Sequence, residues 1–201
     1  MIDPQSVPGF LSEDEGRALA AAATRCAGFG AVVEIGSYCG RSTLYLAPAA
    51  IAAGAAFVSV DHHRGSEEHQ PGQAWHDPAL WDAGAGAVDT LPAFRDTLRR
   101  AGLEDDVVAM VGGSRAAARL IAGPLGLVFI DGGHALATAL TDWRAWAGKI
   151  APGGELAIHD VFERPEDGGR PPCEIYRMAV ASGLFEATGA VGSLRFLTRL
   201  G

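Results

Sequence analysis

Residues 31–53, AVVEIGSYCGRSTLYLAPAAIAA, decide how the rest of the chain is read. The run Ala31–Ile35 is short, apolar and β-branched, which predicts a strand, and the stretch Gly36–Gly40 ends it. From Ser42 onward the sequence turns helical, so the segment reads strand, turn, helix. Upstream, SEDEGRALAAAATRC (12–26) opens on a Ser N-cap, carries acids in its first turn and continues in alanines, as a helix does. Downstream the pattern recurs: AFVSVD ends at Asp61, DVVAMVGGS at Ser114, LGLVFIDGGH at His134 and GELAIHD at Asp160, with helix-like segments 90–101, 115–122 and 137–150 between them. Each apolar run is continuous rather than alternating, the pattern of strands buried on both faces of a parallel sheet. Alternation of this kind builds right-handed βαβ units and a doubly wound α/β fold.

The C-terminal part reads as a helix, 174–182, followed by two strands joined through GAVGS. The expected architecture is a Rossmann-like, doubly wound sheet of seven strands, mostly parallel with a C-terminal antiparallel hairpin, in one domain over residues 1–201. A formal charge of −8 repels a polyanion, and no basic stripe offsets it; Arg99 and Arg100 sit in a helix-like stretch and read as a solvated face. The N-terminal residues lack the basic start and apolar stretch of a signal peptide, and every later apolar run is cut by Gly, Pro or charge. A cytoplasmic protein that engages neither nucleic acid nor membrane is expected. Cys26, Cys39 and Cys173 are odd in number and form no CxxC pair, so free thiols are expected rather than disulfides or a zinc site. The one long irregular segment, 62–87, is rich in His, Gly, Pro and Trp and reads as a lid over a site.

In an open parallel sheet, ligands bind beyond the carboxyl ends of the strands. Those ends carry Glu34 with Gly36, Asp61, Ser114, Asp131 and Asp160. A carboxylate at the end of a buried run is costly unless it meets a cation or hydrogen-bond donors, so this repetition points to a site. The turn EIGSYCGRST suits close approach of a ligand to the backbone beside a helix N-terminus, although its spacing departs from G-x-G-x-x-G. Asp61, about 25 residues further on, is placed to accept hydrogen bonds from ribose hydroxyls.

These features together resemble the class I S-adenosylmethionine-dependent methyltransferases. EIGSYCG is similar to their first motif, Asp61 to their second-strand acid, and Gly112–Ser114 to their adenine-side loop. The resemblance implies a donor site of Glu34, Gly36, Ser37, Gly40, Ser42, Asp61, His62, Ser114, Arg115 and Asp131. Glu34, Gly36 and Gly40 would surround the methionine part, and Ser114 with Arg115 would border the adenine. FIDGGH followed by GGELAIHD further resembles the metal-dependent O-methyltransferases, in particular the group with macrolide-sugar enzymes, and a mycobacterial-type sugar 1-O-methyltransferase is the narrowest likeness. By that resemblance Asp131 and Asp160 bind Mg²⁺ or another divalent cation, His159 occupies the remaining ligand position, and His134 is the general base. His159 stands where those relatives carry an acid, and imidazole suits Mn²⁺, Fe or Zn²⁺ better than Mg²⁺. It is read either as a ligand or as a residue behind the ligands.

His62, His63, His69 and His76 match no zinc-ligand spacing and read as polar lid residues. Trp75 and Trp81 read as anchors of the lid, and Trp143 and Trp146 as helix-packing residues. The acceptor is expected to be a small hydroxylated molecule, a sugar or polyol ahead of a catechol. A homodimer is the expectation from the general frequency of such assemblies. Two other classes fit the same fold: a nicotinamide-dependent oxidoreductase, opposed by the glycine spacing and the lack of a Tyr-x-x-x-Lys pair, and a non-catalytic cofactor-binding protein.

Overall fold

Ser12 caps the first helix as its sequence suggests. In the computed structural model, which describes residues 2–133, 135–164 and 170–201, Ser12 and Glu15 form a reciprocal capping box at the start of α1 (Glu13–Cys26). The chain then runs through β1 (Ala31–Ile35), α2 (Thr43–Ala52) and β2 (Phe57–Asp61). A small two-stranded ribbon follows, β3 (Trp81–Asp82) with β4 (Ala87–Val88). After it come α3 (Leu91–Ala101), β5 (Val107–Val111), α4 (Ser114–Leu120), β6 (Leu125–Ile130), α5 (Leu136–Trp146) and β7 (Ile150–Ile158). The last elements are α6 (Arg170–Ala181), β8 (Phe185–Val191) and β9 (Leu194–Arg199).

The main sheet has seven strands in the order β5-β2-β1-β6-β7-β9-β8. β5 through β7 pair in parallel, while β9 runs antiparallel to both β7 and β8. This is the doubly wound sheet with a terminal hairpin that the sequence predicts.

The continuous apolar runs are explained by the two cores. Val32, Leu127 and Phe129 face one layer, with Leu19, Leu46 and Phe94, whereas Val33, Ile35, Val128 and Ile130 face the other, with Trp146 and Ile175. Each fully buried Leu or Phe contributes roughly 1.5–3 kcal/mol of transfer free energy, so the central strands lock the register. β5 departs from the expectation of burial on both faces. Val108 and Val111 are 55% and 53% exposed, because β5 is the outermost strand, paired only with β2. Trp146 is fully buried, as read from the helix pattern. All three cysteines are free and buried, and burial pushes the thiols of Cys26 and Cys39 up to about 12. No helix among the described residues is long and apolar enough to cross a membrane.

Candidate active site

Beyond the carboxyl ends of β1, β2, β6 and β7 lies a cavity of about 980 Å³, room for a nucleoside-sized ligand together with a small second molecule. Gly36, Ser37, Ser42, Asp61, His62, Ser114, Arg115, Asp131 and Asp160 all line it. Gly36 is required there: its φ is +88, and a Cβ would fall 2.2 Å from the Asp131 carbonyl oxygen, so the loops after β1 and β6 touch backbone to backbone. The Ser37 hydroxyl is buried without a protein partner. That orphaned group at the mouth of the glycine turn suits a polar ligand. Ser114 is held from behind, its Oγ accepting from Trp146 Nε1 at 2.8 Å. His134 lies outside the described residues.

Asp61 first serves the protein. Its Oδ2 accepts from the backbone N–H groups of Ser37 (3.0 Å) and Tyr38 (2.9 Å), and its Oδ1 from that of His63 (2.8 Å). An ionised carboxylate offers about four acceptor positions, so little capacity beyond one ligand hydroxyl remains, fewer than the pair of ribose hydroxyls expected from the sequence. The bonds tie the glycine turn to the end of β2. Three non-glycine residues with positive φ cluster here: Tyr38 (49°), His63 (57°) and Asp160 (56°). Each such position costs on the order of 1 kcal/mol, and strain of this kind concentrates at functional sites.

Two residues assigned to the donor site do not reach it. Glu34 shares the Val32 face of β1, is fully buried, and accepts from Thr43 Oγ1 at 2.6 Å, with Oε1 unpartnered. It lies beneath the turn because alternation along the strand carries it inward, away from the cavity. Gly40, with φ +96, faces Thr97 and Phe94 on α3; its lack of a side chain serves packing of the turn on that helix.

Burial raises the Glu34 carboxyl from 4.5 to about 7, against the lowering influence of the surrounding hydroxyls, of which Thr43 donates to it. A folded-state value above the unfolded one means that stability is fully present below about pH 4.5 and is lost as pH rises through 7. Glu34→Gln mimics the neutral form. The variant is expected to gain up to about 3 kcal/mol over the natural protein at pH 8 and nothing at pH 4.5, read as a Tm difference that opens with pH. A constant difference across that range would refute the burial argument.

Asp131, His159 and Asp160 converge, their candidate ligand atoms all within 4.8 Å of one another. His159 Nδ1 is 3.0 Å from Asp131 Oδ1 and 3.5 Å from Asp160 Oδ2, and Nε2 is 3.4 Å from Glu15 Oε2. Burial alone would lower the His159 pKa, but the charge of Asp131, its hydrogen bond to Nδ1, and the nearby carboxylates of Asp160 and Glu15 overcome it and hold the ring well above its ordinary value. Octahedral ligands about 2.1 Å from a cation stand about 3 Å apart when adjacent and about 4 Å when opposite. With small adjustment two hard carboxylates and one imidazole span that polyhedron, so the residues fit a divalent cation of the Mn²⁺ or Mg²⁺ type.

Sequence reasoning passed over several residues that shape the site. Glu15 stands behind His159; in the sequence it reads only as one of the acids in the first turn of a helix. Arg41 lines the cavity and grips the N-terminal segment, Nε donating to the Val7 carbonyl (2.9 Å) and Nη1 to that of Leu11 (3.0 Å). This places Phe10 against Trp75 edge-to-face, with ring centroids 5.1 Å apart, while Tyr38 stacks on His69 at 4.9 Å. Four rings from three distant stretches thus form one wall of the cavity.

A doubly wound sheet that gathers a glycine turn, a second-strand acid and an acidic pair over one large cavity is the class I methyltransferase fold. The chain belongs to the methyltransferase-domain family, whose profile matches residues 33–161. Among solved structures it is similar to cofactor-bound Rv0187 from MTB, at 21% identity and a TM-score of 0.67 over 98% of this chain and 85% of that one. It is also similar to the O-methyltransferase TomG from Streptomyces achromogenes in complex with SAM, at 17% identity and a TM-score of 0.66 over 96% and 82% of the two chains. An O-methyltransferase from Bacillus cereus in complex with SAH is 18% identical, with a TM-score of 0.64 over 97% and 86%.

Proposed function

We propose that this methyltransferase uses S-adenosylmethionine to methylate a hydroxyl of a small molecule, a sugar or polyol, with a divalent cation and a histidine base assisting. The observation that carries the reading is that Asp61, Asp131 and Asp160 open on one cavity large enough for donor and acceptor together. The SAM held by TomG and the SAH held by the Bacillus cereus enzyme support the same donor. In this reading Gly36, Ser37 and Ser42 border the methionine part, Asp61 and His62 the ribose, and Ser114 with Arg115 the adenine. Asp131, His159 and Asp160 would hold the cation, which supplies Lewis-acid polarisation of an acceptor hydroxyl. His134, three residues after Asp131, would take the hydroxyl proton, since imidazoles exchange protons near neutral pH. The role follows from the resemblance of FIDGGH to the metal-dependent O-methyltransferases.

The aromatic wall supports a ring-shaped acceptor, whose flat C–H face packs on Trp75 and Phe10 while adjacent oxygens turn toward the acids. A sugar satisfies both demands, and a sugar 1-O-methyltransferase is the narrowest form of the proposal. Segment 62–87 contributes His62, Glu67, His69 and Trp75 to the lining and is proposed to act as the lid that excludes water during transfer.

A panel of sugars, polyols and catechols, assayed for S-adenosylhomocysteine formation with Mg²⁺, with Mn²⁺ and with excess chelator, tests this. Turnover of a vicinal diol that falls at least 100-fold on chelation is the expected result. A rate untouched by chelation removes the cation from the proposal. Stabilisation by NAD, and none by S-adenosylhomocysteine, would replace the methyltransferase reading with the oxidoreductase one.

A further inference from the structure

Behind His159 lies a carboxylate with no part in the roles assigned so far. Glu15, in the first turn of α1, is 5% exposed. Its Oε2 accepts from the Ser12 N–H (3.0 Å) and hydroxyl (2.7 Å), and its Oε1 from the N–H (2.8 Å) and hydroxyl (3.0 Å) of Ser193 between β8 and β9. Four donors make a fixed anion. The turn is shaped around it: Gly192 has φ +54, and a Cβ there would fall 2.6 Å from Glu15 Oε1.

This anion faces one edge of the His159 ring, Oε2 to Nε2 at 3.4 Å, while the other edge presents Nδ1 to Asp131 at 3.0 Å and Asp160 at 3.5 Å. The Nε2 contact is an ion-pair distance without hydrogen-bond alignment. Among the described residues no other acid is paired with Nε2. A neutral imidazole donates from one nitrogen and accepts at the other, and a ligating histidine commonly gives its second N–H to a carboxylate that fixes ring and tautomer.

We propose that Glu15 is a positioning residue for the cation site: it holds His159 with Nε2 as the N–H edge, so that Nδ1 is the ligand edge beside Asp131 and Asp160. The inference rests on reading those three residues as a cation site. It makes the N-terminal helix and the C-terminal hairpin, which clamp Glu15 through Ser12 and Ser193, the support of a centre built on β6 and β7.

The test uses the full chain saturated with S-adenosylhomocysteine. Mn²⁺ affinity is read by electron paramagnetic resonance for the natural protein, Glu15→Gln and Ser193→Ala, and the His159 tautomer by long-range ¹H–¹⁵N spectra of the natural protein with Mg²⁺. Glu15→Gln is expected to weaken Mn²⁺ roughly 10–100-fold. Ser193→Ala, which loosens one anchor and keeps the charge, is expected to stay within about threefold, and His159 is expected to carry its hydrogen on Nε2. If Glu15→Gln binds Mn²⁺ as the natural protein does, or if Nε2 is unprotonated with Mg²⁺ bound, Glu15 loses this role while the cation site stands. A natural protein that binds no Mn²⁺ at all overturns both. Should Glu15→Gln fail to fold, the tautomer measured on the natural protein decides.

Discussion

Asp160→Asn is expected to lower turnover roughly 10²–10⁴-fold while leaving the affinity for S-adenosylhomocysteine within about threefold. The substitution is conservative in shape, and asparagine tolerates the left-handed backbone that Asp160 adopts at φ 56°. It removes one negative charge from the group around His159 Nδ1, the position proposed for the cation. Lewis-acid assistance is worth several kcal/mol, and each 1.4 kcal/mol is a factor of ten in rate. Stopped assays at saturating donor and acceptor give the loss in turnover, and calorimetry with S-adenosylhomocysteine gives the control. Turnover within threefold of the natural protein would leave Asp160 outside the mechanism.

His134→Ala is the second large effect. General-base catalysis contributes about 10²–10⁴-fold, and the variant is expected to lose that much in kcat at neutral pH. Cation and donor binding should persist, because neither is assigned to His134. The measurement that separates a base from a merely structural residue is the pH profile. With the base removed, the rate should rise with pH as hydroxide takes over the proton, whereas a loss that is uniform from pH 6 to pH 9 would point to a structural role.

How much of this was legible beforehand depended on whether the deciding interaction was local. The acids at the strand ends could be read directly: a parallel sheet exposes the residue that ends each buried run, so Asp61, Asp131 and Asp160 were bound to meet on one rim. Glu34 and Gly40 were misplaced because their motif runs along the chain while their surroundings do not. One step of strand alternation sends Glu34 inward, and the docking of α3 claims Gly40. β5 carried the apolar signature of an inner strand, and only its position at the edge of the sheet left Val108 and Val111 exposed.

What the order of residues alone determined was the doubly wound sheet, its terminal hairpin, the cap of the first helix and the rim of acids, since each follows from periodicity or from short-range hydrogen bonding. Tertiary structure decided the rest. Glu15 and His159, 144 positions apart by their numbers, meet only when α1 packs beside β7 and the β8–β9 turn closes over it; Phe10, Tyr38, His69 and Trp75 become one wall only when three loops converge. Contacts of that range leave no local signature, because what selects them is the packing of whole elements against the sheet rather than the preference of any single stretch.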